Sequence, residues 1–65
     1  MNDYKMSLEI RRAISAEFNS EGLLTGNDMV KLIRDKFGLY ELDHAALIFQ
    51  VLDSKKLLHF KLRYE

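Results

Sequence analysis

The sequence contains no cysteine and no proline, and only three of its 65 residues are glycine. Without cysteine, neither a disulfide nor a Cys-based zinc site can stabilise the fold. The low proline and glycine content, together with 48% hydrophobic residues, is typical of a packed domain rather than a disordered tail. We therefore predict a single domain, residues 1–65, whose stability is only about 3–5 kcal/mol. Assembly with a partner or a second copy would add to it.

The sequence also lacks an excess of charge of either sign. Ten basic and ten acidic side chains balance, whereas a dedicated binder of nucleic-acid backbones is more often clearly basic. No apolar run approaches the ~20 residues of a membrane helix, and no signal-peptide pattern opens the chain. These absences predict a soluble, cytoplasmic protein without membrane contacts.

Residue patterns that carry catalysis are missing as well. With no cysteine, a nucleophile would have to be a hydroxyl side chain, and none of these lies in a strained glycine elbow. The two histidines, His44 and His59, have no partners at metal-ligand spacing, and zinc sites need three or four ligands. We predict that the protein is not an enzyme and that it binds no metal and no cofactor.

One loop resembles an EF-hand calcium site. The stretch "EFNSEGLLTGND" places Glu17, Asn19 and Glu21 at alternate positions, Gly22 at the sharp turn and Asp28 last. Calcium loops have Asp first and a bidentate Glu at the twelfth position, and this sequence inverts both. The incomplete ligand set favours an ordinary turn between two helices.

Two amphipathic helices are predicted in the first half of the chain. Asn2 or Asp3 caps the first, which runs to about Phe18 with apolar residues three and four positions apart. The short apolar piece Leu23-Leu24 follows and is predicted as a strand. Thr25 and Asp28 resemble a capping box for the second helix, which ends at Gly38. Its predicted buried stripe is Met29, Val30, Ile33 and Phe37.

The second half is predicted as a helix followed by a strand. The run "AALIFQVL" is apolar almost all round, which predicts a central helix from about Glu41 to Asp53. From Leu58 to Tyr64, apolar side chains alternate with basic ones, which predicts a strand. The predicted fold class is therefore α+β, mostly helical, with three helices and a short two-stranded sheet. Its order is helix–strand–helix–helix–strand, which is winged-helix-like.

The middle of the chain resembles the DEP domain, a variant of the winged helix. In "TGNDMVKLI", Gly26, Asp28, Met29, Val30 and Ile33 match that family's pattern, and the resemblance extends over about residues 24–59. Leu32 stands where the family has an aromatic residue, and Lys56 where glycine is usual. The family's hairpin arm, which is tied to membrane and receptor contacts, has no room in this chain. The resemblance thus implies a fold and no particular partner.

Two functions follow from these patterns. The predicted third helix has a second apolar stripe, which consists of Tyr40, His44, Leu47 and Val51. This stripe would bind a protein partner or a second copy, unless the helix is buried all round. This hypothesis makes the protein a small regulatory or adaptor module, possibly a homodimer. The alternative is a winged-helix DNA-binding transcription regulator that uses a basic terminal strand with Lys55, Lys56, Lys61 and Arg63. The carboxylates of the predicted third helix, Glu41, Asp43 and Asp53, disfavour DNA.

Overall fold

The computed structural model describes residues 3–65. Its elements are strand β1 (Asp3–Lys5), helix α1 (Leu8–Phe18), helix α2 (Gly26–Phe37), strand β2 (Leu39–Asp43), strand β3 (Ile48–Val51) and helix α3 (Ser54–Tyr64). The predicted class, an α+β domain with three helices, is confirmed. The element order differs from the predicted one, and the sheet has three strands rather than two.

Helix α2 forms where the sequence predicts it, because both of its ends are specified locally. The Thr25 hydroxyl accepts a hydrogen bond from the Asp28 backbone N–H at 3.1 Å, and the Asp28 carboxylate accepts one from the Thr25 N–H at 3.0 Å. Gly38 ends the helix with a left-handed φ of 65°, which favours glycine. Of the predicted buried stripe, Met29, Ile33 and Phe37 are buried and Val30 is only partly buried.

Helix α1 begins later than predicted, because Ser7 caps it rather than Asp3. The Ser7 hydroxyl accepts a hydrogen bond from the Ile10 N–H at 3.2 Å, while Asp3 lies in β1. The alternative cap, Asn2, lies outside the described residues. Leu23 and Leu24 form a loop instead of the predicted strand. A local side-chain bond replaces strand pairing there, since the Asn19 side chain accepts from the Leu24 N–H at 2.9 Å.

The predicted third helix, Glu41 to Asp53, is instead a β-hairpin. Strands β2 and β3 pair antiparallel, with Leu39 opposite Val51 and Glu41 opposite Phe49. Asp43 organises the turn by accepting a hydrogen bond from the Ala46 N–H at 3.0 Å. The run "AALIFQVL" is equally compatible with a buried helix and a strand, because short apolar segments have no diagnostic period.

The predicted terminal strand, Leu58 to Tyr64, is instead the second half of helix α3. The Asp53 carboxylate caps this helix by accepting hydrogen bonds from the N–H groups of Lys55 and Lys56, at 3.0 and 3.1 Å. Leu57, Phe60 and Tyr64 lie three and four residues apart and pack on the core. This helical spacing coexists with the alternation that starts at Leu58, so the sequence carries two periods and the helical one prevails.

The sheet and the helices form two layers. The strand order is β1-β3-β2, and all pairs are antiparallel. Side chains on the inner face of the sheet pack against the helices. Phe60 of α3 packs against Tyr4 of β1 and Phe37 of α2, with ring centroids 5.7 and 4.9 Å apart. The buried residues are Tyr4, Met6, Ile14, Met29, Ile33, Phe37, Leu39, Phe49 and Phe60.

Candidate functional site

The four residues predicted as a partner-binding stripe do not lie on one surface. Tyr40 is on β2 and exposed, whereas Val51 on β3 is partly buried against the core. His44 and Leu47 belong to the hairpin turn, where Leu47 has a left-handed φ of 56°. The stripe required a helix, so it does not exist in the hairpin.

His44 and Leu47 do share a groove with helix α1. This groove measures about 350 Å³, and Leu8, Arg11 and Ser15 line its other side. The Arg11 guanidinium donates to the Ser15 hydroxyl at 2.6 Å, and the His44 ring lies 3.3 Å from the Glu41 carboxylate. The structure thus brings together two of the four predicted residues and separates the others.

Tyr40 lies on the outer face of the sheet, which none of the helices within residues 3–65 covers. Side chains alternate between the two faces along a strand. The buried Tyr4, Leu39 and Phe49 point towards the helices, so the residues next to them on each strand point away from the helices. Tyr40, Leu42 and Leu52 are 43%, 51% and 53% exposed. Three large apolar side chains are therefore open to solvent on one side of a small domain.

The cross-strand register places these side chains in rows. Asp3, Gln50 and Tyr40 are direct neighbours across the three strands, and Lys5, Ile48 and Asp43 form the next row. Leu52 extends β3, because its N–H donates to the Gly38 carbonyl at 2.7 Å. Leu42 lies at the irregularity between Glu41 and Asp43. The outer face, defined as these eight residues, has Ile48, Gln50 and Leu52 along its central strand and charges of both signs on its edge strands.

Sequence reasoning found only Tyr40 among the apolar residues of the outer face. Leu42, Ile48 and Leu52 were assigned to a helix, so their common side was not apparent. The signal that could have found them is the period of two in "LYEL" and "IFQVL", which puts every second side chain on one face of a sheet.

The four basic residues predicted for nucleic-acid binding all lie on helix α3. Lys55 is exposed, and the Lys61 ammonium lies 5.6 Å from the centre of the Tyr4 ring. The Lys56 ammonium donates to the Asp35 carbonyl at 2.8 Å. Arg63 forms an ion pair with Glu17 on α1. They therefore surround a helix instead of lining one side of a strand.

The candidate calcium loop uses its polar side chains for structure. Glu17 accepts from Arg63 and from the Tyr64 hydroxyl, Asn19 holds the loop at Leu24, and Asp28 caps α2. Residues 3–65 contain no group of three or more His, Asp or Glu side chains that could hold a metal ion.

Two ionisable groups have perturbed pKa values. Burial raises the pKa of Tyr4 above its ordinary value, and its hydrogen bond to the Glu65 carboxylate raises it further. The hydrogen bond from the Thr25 backbone N–H lowers the pKa of Asp28. Both groups have a structural role: the Tyr4 hydroxyl connects β1 to Glu65 at the end of α3, and the Asp28 carboxylate caps the start of α2.

Comparison with family models, with curated proteins and with solved structures finds no match to this chain. The winged-helix and DEP-domain resemblance stays a prediction. None of the helices in the described part of the chain has the length and hydropathy needed to cross a bilayer.

Proposed function

We propose that this protein is a non-enzymatic regulatory or adaptor module that acts through protein–protein contacts, and that its first partner is a second copy of itself. The observation that carries this proposal is the uncovered outer face of the sheet. Tyr40, Leu42 and Leu52 together expose on the order of 300 Å² there, a size at which an apolar patch is often functional. A protein with a small core gains stability when such a face is covered.

The charges on the outer face fit a second copy. When two sheets pack face to face about a two-fold axis parallel to the strands, the edge strand β1 of one copy lies over β2 of the other. Lys5 and Asp43 are in the same row of the sheet, so each Lys5 then faces the Asp43 of the other copy. The axis passes along β3, where Ile48 and Leu52 meet their own counterparts. One ion pair thus forms on each side of the axis, and Ile48, Gln50 and Leu52 of both copies lie between the two pairs.

The small size of the face sets the expected strength. Three short strands bury less than the ~800 Å² per partner of a standard interface. The dimer is therefore weak, with a dissociation constant on the order of 100 μM. Sedimentation equilibrium between micromolar and millimolar protein concentrations covers this range.

The test compares two leucine substitutions of identical chemistry. Leu42→Lys removes apolar area from the outer face and abolishes self-association, because β2 lies over β1 of the other copy and the new ammonium comes close to Lys5 there. Leu62→Lys is the matched control, since Leu62 is 76% exposed on α3 and lies away from the sheet. A dimer that survives Leu42→Lys, or a wild type that is monomeric at millimolar concentration, refutes the proposal.

A double-mutant cycle tests the orientation of the two copies. Lys5→Gln and Asp43→Asn each remove both intermolecular ion pairs, and Asn keeps an oxygen to accept the Ala46 N–H. Each single change weakens the dimer by a factor of about 2–10, and the double variant is no weaker than either single one. Additive effects would show that Lys5 and Asp43 do not face each other.

Nucleic-acid binding is the second candidate function, and the composition of α3 favours it. The last helix contains four basic residues and no acidic one between Ser54 and Tyr64, whereas the segment that disfavoured DNA is a hairpin. Anisotropy of fluorescent mixed-sequence duplex DNA at low and at physiological salt tests this function. Salt-sensitive binding that weakens when Lys55, Lys56, Lys61 and Arg63 are changed to Gln supports it, and no binding at low salt refutes it.

A further inference from the structure

A cleft lined by the C-terminal ends of α1 and α2 and by one side of α3 combines aromatic and basic side chains. It has a volume of about 300 Å³, at the lower end of the range for small-molecule sites. Phe18, Phe37 and Phe60 form its apolar part, with ring centroids 6.1 Å apart for Phe18 and Phe37. The polar lining consists of Lys36, Lys56, His59 and Arg63.

Two of the cations lie against the same aromatic ring of the cleft. The Lys36 ammonium lies 5.4 Å and the Arg63 guanidinium carbon 6.0 Å from the centre of the same Phe18 ring. Lys56 reaches the cleft from α3 while donating one hydrogen bond to the Asp35 carbonyl. Three cations and the single carboxylate of Glu17, which pairs with Arg63, leave a local charge of +2 with His59 neutral. The protein as a whole has a formal net charge of zero.

The present partners leave donors free for a ligand. A lysine ammonium has three N–H donors and an arginine guanidinium has five. Lys56 uses one donor on a carbonyl, and Arg63 shares a single carboxylate. The Asp35 side chain does not line the cleft; its carboxylate pairs with Arg34 at 3.4 Å and is largely exposed. An anion that enters the cleft therefore meets one competing carboxylate, Glu17.

We propose that this cleft binds a small phosphate monoester whose organic part is a flat ring. A phosphate dianion matches the local charge of +2, and its three terminal oxygens match donors that arrive from α2 and from two turns of α3. The partly exposed Phe18 side chain would contact the ring, and the buried Phe37 and Phe60 form the floor of the cleft. Such a site is separate from the outer face of the sheet, so its test and that of the dimer have independent outcomes.

Phenyl phosphate, inorganic phosphate and phenol are the three probes, added at constant pH and ionic strength to ¹⁵N-labelled protein. Phenyl phosphate binds with a dissociation constant on the order of 1–10 mM, as expected for about 11 heavy atoms. The amide resonances of Lys36, Lys56 and Arg63 shift, and those of the outer face do not. Inorganic phosphate and phenol each bind at least about tenfold more weakly, because each supplies half of the interactions.

The variants are chosen so that folding and binding separate. Lys56→Gln and Arg63→Gln remove the charge but keep part of each aliphatic stem, and they weaken phenyl phosphate binding by about three- to tenfold. Lys55→Gln is the matched control, because Lys55 is exposed on the same helix and does not line the cleft. Glu17→Gln keeps an acceptor for Arg63 and tightens binding by about threefold, since it removes the competing charge. The thermal unfolding midpoint of each variant is measured in parallel.

Three results would overturn the proposal. The first is no resonance shift with 20 mM phenyl phosphate in the wild type. The second is equal affinity for inorganic phosphate, which would show that the ring contributes nothing. The third is an equal loss of affinity in Lys55→Gln, which would show general attraction to a basic helix, as the DNA-binding alternative predicts.

Discussion

Gly38 is the position at which one methyl group should cost most of the stability of the fold. Its φ of 65° is left-handed, and a side chain there costs about 1–2 kcal/mol. A Cβ atom would also lie 2.7 Å from the Asp53 Cβ and 2.9 Å from the Asp53 carbonyl oxygen. The backbone at Gly38 and the backbone at Asp53 cannot easily move apart, because the Gly38 carbonyl accepts the N–H groups of Leu52 and Asp53 at 2.7 and 3.2 Å.

The combined loss for Gly38→Ala is therefore about 2–5 kcal/mol, since overpacking adds about 1–3 kcal/mol to the backbone term. This approaches the whole stability of about 3–5 kcal/mol expected for a domain of this length. Urea denaturation followed by far-UV circular dichroism measures the free energy of unfolding, with a stabilising osmolyte if the variant is largely unfolded.

Gly22→Ala provides the matched control for Gly38→Ala. Gly22 has a nearly identical φ of 69°, but nothing lies within 4 Å of a Cβ built there. It should lose only the backbone term, about 1–2 kcal/mol. Equal losses of free energy in the two variants would show that Gly38 does not lie close to Asp53, the residue that caps α3.

The other predictions concern a helix cap, a buried phenol and an aromatic core residue. Thr25→Ala lowers the free energy of unfolding by about 1 kcal/mol. The lowered pKa of Asp28 stabilises the fold above 3.8, the ordinary value, and this contribution is lost as the pH falls below it; the urea midpoint of Asp28→Asn therefore falls less in acid than that of the wild type. The raised pKa of Tyr4 keeps its contribution intact below pH 10.0 and removes it as the pH rises further, so the alkaline loss of stability is smaller in Tyr4→Phe. Phe60→Leu costs about 1–2 kcal/mol in urea denaturation, whereas Leu62→Ala on the exposed side of α3 stays within about 0.5 kcal/mol.

Contradicting outcomes are defined for three of these predictions. Identical acid profiles for the wild type and Asp28→Asn would show that the cap does not depend on the carboxylate. Identical alkaline profiles with and without the Tyr4 hydroxyl would place that group in solvent. A larger loss for Leu62→Ala than for Phe60→Leu would mean that α3 packs through its other side.

Helix α2 could be predicted from sequence because its signals act over a few residues. Thr25 and Asp28 close the first turn and Gly38 closes the last, so no distant contact is needed. The second half of the chain could not be predicted in the same way. There, the pairing of Leu39 with Val51 decides for a hairpin, and the packing of Phe60 on Tyr4 decides for a helix at the end of the chain. Both contacts are non-local, and periodicity does not encode them.

The candidate site was predicted only in part for the same reason. Tyr40 was assigned to a partner surface because its spacing from His44, Leu47 and Val51 fits one side of a helix. It is exposed in the structure because it alternates with buried neighbours on a strand. Lys56 and Arg63 were grouped by charge along a supposed strand, and helix α3 brings them beside Lys36. That juxtaposition depends on the fold and could not be derived from spacing.

Contacts between copies at the outer face of the sheet are the most direct test of the proposed function. A 1:1 mixture of ¹³C-labelled and unlabelled protein at millimolar concentration, studied by isotope-filtered nuclear Overhauser spectroscopy, reports only contacts between copies. Ile48 and Leu52 methyl groups should each show a contact to the same residue of the other copy. Contacts confined to Leu58 and Leu62 of α3, or no contacts between copies at all, would contradict self-association through the sheet.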